Sequence, residues 1–163
     1  MSSNFGGSRF VQPPLTRTVV YKAKGGVVIS VGDLLYYDSA DGYAKPLSAK
    51  TGSGTVNTDQ VFVHDNFIGV AQSGRIAAQT ADGTVTVATD CIYEADCASA
   101  TFVPGDLVTG FSSGAAAAGA IEDQKIDTTA LAAECIGVVV KQYATATTKV
   151  WVRLYGKSAR QVF

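Results

Sequence analysis

The sequence predicts an all-β protein: a small β-barrel or β-sandwich body built from two tandem related β units, with an extended N-terminal arm. Three observations carry that expectation. Of the 163 residues, 20 are Val and 16 Thr against 7 Leu and 1 Met, a balance that suits pleated, half-buried surface better than helix. The 17 Gly and 11 Asp supply turns. Finally, two stretches, ISVGDLLYYD beginning at Ile29 and FVPGDLVTG beginning at Phe102, repeat a Gly-Asp-Leu step between apolar residues.

A chain of this length fits one domain and buries roughly 70% of its unfolded surface on folding, so it needs neither metal nor disulfide to hold a core. The formal charge of −1 gives no global attraction for nucleic acid or an anionic membrane. No apolar run approaches the length of a membrane-spanning helix. MSSNFGGSRF lacks the apolar stretch of a signal peptide, so Cys91, Cys97 and Cys135 are expected to begin as cytosolic thiols.

Residues 1–16 read as the arm and residues 17–163 as one β domain. The arm shows neither the helical nor the strand period, and Pro13-Pro14 favours an extended path. Its spaced anchors are Phe5, Phe10, Val11 and Leu15, with Arg9 and Arg17 as cations. Fully extended it reaches on the order of 50 Å; a plain disordered end is the competing reading. Strands are then expected at 17–24 and 27–31 around Gly25-Gly26, and at 34–38 and 43–47 around the Asp41-Gly42 turn. The polar stretch 50–60 reads as a surface loop. Strands at 67–71, 75–79 and 84–89 follow, the last with Val85 and Val87 on one face and Thr84 and Thr86 on the other. Short strands are expected at 92–94 and 101–103, and a small-residue loop at 112–120. One short helix capped by Asp127 is expected at 127–134. Residues 136–143 and 149–155 close the chain as a hairpin, with Val150, Val152 and Leu154 inward.

Three signposts recur in one order. Gly32-Asp33-Leu34, Ile68-Gly69-Val70 and Val85-Thr86-Val87 are answered by Gly105-Asp106-Leu107, Ile136-Gly137-Val138 and Val150-Trp151-Val152. The offsets of 73, 68 and 65 residues drift slowly, as changing loop lengths would make them. An internal duplication, spanning approximately 27–89 and 101–155, explains this pattern. Gly32 and Gly105 then allow a sharp bend with φ > 0, and Asp33 and Asp106 tie a carboxylate to a nearby amide. These are structural turns, repeated because the unit repeats.

Chemistry-bearing patterns are sparse. His64 beside Asp65 would need a nucleophile or substrate pocket brought to it, and a loop or strand-edge histidine is the plainer expectation. The three cysteines show no zinc spacing and read as small buried side chains, with a Cys91–Cys97 disulfide left open for an oxidising medium. GSGT at 52–55 lacks the lysine and helix of a phosphate loop. The Val-x-Gly-Asp pattern also occurs in small barrels carrying lipoyl or biotinyl groups, but the tips SADG and TADG offer no lysine for attachment. No catalytic, metal or cofactor site is expected.

DCIYEADCASATFVPGDLVTG (90–110), CIGVVVKQYATATTKVWVRL (135–154) and FIGVAQSG (67–74) together resemble head decoration, or capsid cement, proteins of tailed bacteriophages. The resemblance covers roughly residues 27–155 and rests on pattern; the arm lies outside it. It implies a structural virion protein assembled in the host cytoplasm and seated on the capsid exterior. There it would bind the major capsid protein as a homo-oligomer, a trimer more readily than a dimer, without catalysis, cofactor, nucleic acid or membrane. The arm residues Phe5, Arg9, Phe10, Val11, Pro13, Pro14, Leu15 and Arg17 would contact a neighbouring subunit. The alternative is a phage tail- or fibre-associated β module that binds a host surface glycan through Tyr36, Tyr37, Tyr43, Trp151 and Tyr155.

Overall fold

Alternating apolar residues force this chain into strands whose inner faces must be covered, and the solution is two small rings that share one strand. The computed structural model describes residues 9–157, with side chains from residue 17 onward. In chain order the elements are β1 (Arg9–Ala23), β2 (Leu34–Asp38), β3 (Tyr43–Pro46), α1 (Val56–Asn66), β4 (Phe67–Ala71) and β5 (Gly83–Phe102). They continue with β6 (Leu107–Ser112), β7 (Ile121–Thr128), β8 (Gly137–Val139) and β9 (Tyr143–Tyr155). The protein is all-β; among the named elements of the described residues the exceptions are α1 and two single 3-10 turns.

The strand pairings run β1–β3–β2–β4–β5 and back to β1, then β5–β7–β6–β8–β9 and back to β5. The 20-residue β5 is therefore common to both rings. Its first part closes the first ring against β4 and β1, and its second part opens the second against β9. Each ring has one thin seam, a single parallel pair: Ala23 with Ala44 in the first and Asp96 with Lys125 in the second.

The two rings repeat one another in detail. Leu34 pairs with Val70 and Leu35 with Gly69; in the second ring Leu107 pairs with Val138 and Val108 with Gly137. Ala71 faces Val87 as Val139 faces Val152, and Val19 faces Val87 as Tyr93 faces Val152. The Gly-Asp turns match as well. Gly32 and Gly105 both have φ of 97°, a backbone that only glycine adopts without strain. The Gly32 N–H donates to the Ala71 carbonyl at 2.8 Å and the Gly105 N–H to that of Val139 at 2.9 Å. Asp33 Oδ2 accepts the Ser30 N–H at 2.7 Å, and Asp106 Oδ2 accepts the Val103 N–H at 2.9 Å.

The first ring encloses Ala23, Ile29, Leu35, Ala44, Ile68, Ala71, Val85 and Val87. The larger core joins the second ring's interior (Val108, Ile126, Ile136, Val150, Val152) to Leu34, Tyr36, Phe67 and Val70. Because neighbouring residues on a strand face opposite ways, Leu34 and Leu35, or Phe67 and Ile68, serve the two cores in turn. All five residues of β4 are buried, as a strand between two cores requires. Polar bonds add to this junction: Tyr93 Oη donates to the Gly32 carbonyl at 2.6 Å, Gln124 Nε2 to Asp33 at 2.9 Å, and Ser48 Oγ to Asp123 at 2.8 Å.

Several local expectations need correction. The stretch 50–60 is not all loop: residues from Val56 belong to α1, whose Val63 is fully buried and whose Asp59 accepts the Ser53 N–H and the Ser112 hydroxyl. Tertiary contacts hold a helix that its Val, Asn, Thr and Asp content disfavours. Residues 27–31 and 75–79 make only one bridge, Ile29 with Arg75; beyond it the chain turns, the Gln79 N–H donating to the Ile76 carbonyl and the Arg75 guanidinium to that of Ala81. The three strands expected within 84–103 are one, β5. Residues 127–134 are not a helix: Asp127 and Thr128 pair with Thr109 and Val108, and only Ala132–Glu134 makes a 3-10 turn. The small-residue loop expected at 112–120 begins only after Ser112, which ends β6. The closing hairpin forms with Val150, Val152 and Leu154 buried, but it turns earlier than expected, since β8 stops at Val139 and β9 begins at Tyr143.

Candidate partner-binding surface

The first feature of this surface is set by prolines. β1 begins at Arg9, inside the stretch read as an arm, and runs antiparallel to β5 with Arg9 opposite Glu94, Phe10 opposite Tyr93 and Gln12 opposite Ile92. The ladder is interrupted between Gln12 and Arg17, where Pro13 and Pro14 have no N–H to donate. It resumes from Arg17 opposite Asp90 to Ala23 opposite Gly83. Phe10, Val11, Pro13, Pro14 and Leu15 therefore belong to a strand of this chain's own sheet. Phe5 lies outside the described residues.

On its other side β1 meets a described strand at one point, Ala23 with Ala44. The parallel register places residue 22 beside Tyr43 and residue 21 beside the turn at 39–42, so the edge N-terminal to this outruns the β2–β3 hairpin. Arg17, Thr18 and Lys22 are exposed there. Val20 is 63% exposed, and Val19, on the inward side of the strand, is still 42% exposed. The edge ends at a cleft of about 300 Å³ lined by Lys22, Tyr43, Asp82, Gly83 and Thr84. Asp82 is already engaged: it accepts the Tyr43 hydroxyl at 2.6 Å and the Gly25 N–H at 2.8 Å, and these bonds hold its carboxyl below the usual range.

Other exposed apolar residues flank the turns: Val28 and Ile76 in the first ring, Val103 and Leu131 in the second. The aromatic residues considered for glycan binding do not form one platform. Tyr36 is buried edge-on to Phe62, whereas Tyr37 lies 6.1 Å from Tyr21 on the opposite face of β2. On β9, Trp151 lies under Lys141 and donates its indole N–H to Glu94 at 3.0 Å, and Tyr155 lies under Arg153. A smaller cleft of about 190 Å³ is lined by parts of both Tyr36 and Tyr37 with Asp38, Lys50, Phe62 and Asn66, but Asp38 there is held by Lys45 at 2.7 Å.

The residues weighed for chemistry sit in separate hydrogen-bond groups. His64 is in α1, not in a loop or at a strand edge, and its Nδ1–H donates to the Cys135 carbonyl at 2.7 Å. That bond ties the helix to the segment before β8. Asp33 is 5% exposed; burial raises its pKa, against the lowering effect of the Gln124 and Ser30 donors. The Asp106 carboxylate accepts the Val103 N–H within its own turn, as the Asp33 carboxylate accepts that of Ser30. No disulfide joins Cys91 to Cys97, and burial pushes the Cys91 thiol up to about 12. Among the described residues, no three His, Cys, Asp or Glu side chains are placed to hold a metal ion, and no helix is long and apolar enough to cross a membrane.

Compared with known proteins, the chain matches no family model and no curated protein.

Proposed function

We propose that this chain is a structural virion protein, a decoration or cement protein that binds the outer surface of a phage capsid and clamps neighbouring major capsid subunits. The reading starts from the Gly-Asp-Leu and Ile-Gly-Val pattern, and one structural observation supports it above others. In a body otherwise wrapped into two rings, no described strand pairs with the outer side of β1 N-terminal to Ala23, and β1 reaches back to Arg9 within the N-terminal segment. Uncovered edges invite pairing with another chain, and proteins that do not use them usually blunt them.

The mechanism is mass action. A ligand that binds the assembled lattice and not its separated subunits stabilises the lattice in proportion to its occupancy. Several copies in one homo-oligomer, a trimer in this reading, bind together, so modest single contacts multiply through effective concentration. A rigid body helps because little of the binding free energy is then lost in ordering the chain. The test is binding of the purified protein to mature phage shells, read as co-sedimentation and as raised resistance of the shells to heat or chelators. Binding to shells with no gain in shell resistance would remove the cement role, and no binding would remove the capsid partner.

A further inference from the structure

The two rings differ at one place where their symmetry says they should agree. In the second ring the opening strand is the latter part of β5, and on the side where β7 joins at Asp96 its edge is covered by β1. Arg9, Phe10 and Gln12 lie antiparallel against Glu94, Tyr93 and Ile92. In the first ring the opening strand is β1 itself, joined by β3 at Ala23. Val19 is the counterpart of Tyr93, since Val19 faces Val87 and Tyr93 faces Val152. The equivalent edge, around residues 17–21, carries no described strand. One ring thus displays an occupant that has no described counterpart on the other: an extended antiparallel segment in line with the third strand.

Charge selects the chemistry of that occupant. Residues 1–32 contain four cations (Arg9, Arg17, Lys22, Lys24) and no Asp or Glu, whereas residues 33–163 contain nine cations and fourteen acids. Arg17, Lys22 and Lys24 are exposed, and none lies within 4 Å of a carboxylate among the described residues. The N-terminal segment of a second copy would bring like charge to the same edge, which disfavours it. We infer that the outer edge of β1 at residues 17–22 is a docking site for an acidic, extended segment of a partner protein, added as an antiparallel strand. Val19 and Val20 supply the apolar contact, and the exposed Arg17 and Lys22 supply the charge opposite to that of the segment. This deepens the capsid reading and rests on it only for the source of the segment.

The test uses the full chain and two acetylated, amidated nine-residue peptides, alternating Val or Thr with Glu in one and with Lys in the other. The Glu peptide is expected to bind saturably and at least tenfold more tightly than the Lys peptide. Binding should weaken as salt rises and should shift the backbone amide resonances of Thr18 to Tyr21. N-methylation of alternate peptide residues should abolish binding in one register and spare it in the other, as a ladder requires. Arg17→Glu with Lys22→Glu should reverse the charge preference. Equal affinity for the two peptides, no saturation by the Glu peptide at millimolar concentration, or self-association through residues 17–22 would overturn the assignment. Failure to bind phage shells with the peptide preference intact would remove the capsid reading and leave the docking site standing. Shell binding without any peptide preference would do the reverse.

Discussion

Replacing Gly69 by Ala should destabilise the protein more than the same change at Gly137 or Gly105. A Cβ on Gly69 would lie 2.1 Å from the Ala88 carbonyl oxygen and 2.8 Å from its carbon, both in the backbone of β5. Neither atom can swing away, so β4 and β5 must part where only two residue pairs hold them. Such overpacking costs about 1–3 kcal/mol. The φ of 141° adds a conformational penalty of about 1–2 kcal/mol for an L residue. Together these reach about 2–5 kcal/mol, a large share of the ~5–15 kcal/mol that holds a domain of this kind. Gly137, its counterpart in the second ring, would place a Cβ 2.2 Å from the Arg153 carbonyl oxygen without a left-handed φ, so Gly137→Ala should lose about 1–3 kcal/mol. Gly105→Ala meets nothing within 4 Å and bears only its φ of 97°, about 1–2 kcal/mol. Urea unfolding followed by circular dichroism reads all three; with a slope of about 2 kcal/mol per molar, Gly69→Ala should lower the midpoint by about 1–2.5 M. A Gly69→Ala protein within 1 kcal/mol of wild type would refute the close approach of β4 to β5. A large loss at Gly69 with none at Gly137 would refute the equivalence of the rings.

Further expectations concern the junction and the edge. Because burial raises the Asp33 pKa in the folded protein, its ionisation opposes folding: its contribution is most favourable below the ordinary carboxylate range and declines as pH rises through the raised value. The stability of Asp33→Asn relative to wild type should therefore improve from pH 3.5 to pH 7 in paired urea melts; a worsening would contradict the assigned cause. Tyr93→Phe, which leaves the buried Gly32 carbonyl without its 2.6 Å donor, should lose about 1–3 kcal/mol in the same assay. Deleting residues 1–16 should weaken shell binding without abolishing it, since Arg17 to Ala23 still pair with β5 and keep the docking edge; unchanged shell binding would remove the arm from the interface.

The architecture was legible where spacing carried it. Gly-Asp-Leu and Ile-Gly-Val identified the paired strands, and their drifting offsets followed the rings because β2 and β4, like β6 and β8, must keep register around fixed turns. What escaped was decided at a distance. Nothing local in Val56-Asn57-Thr58-Asp59 announces a helix; Asp59 bonded to Ser112 and Val63 buried among strands make one. Likewise Ile92 and Phe102 read as separate strands, because no residue between them shows that β9 runs alongside both. At the candidate surface, Arg9 and Arg17 were legible in the sequence as cations of the N-terminal segment. Their meaning was not, because only the register of β1 on β5 shows which edge is covered and which is left open.

Cryo-electron microscopy of a phage particle fraction containing this chain tests the capsid assignment most directly. The account predicts paired-ring density on the outer shell where capsid subunits meet, with a strand of the shell protein running antiparallel along Arg17 to Lys22. Density confined to the tail or fibres, or a β1 edge facing solvent in every bound copy, would contradict it.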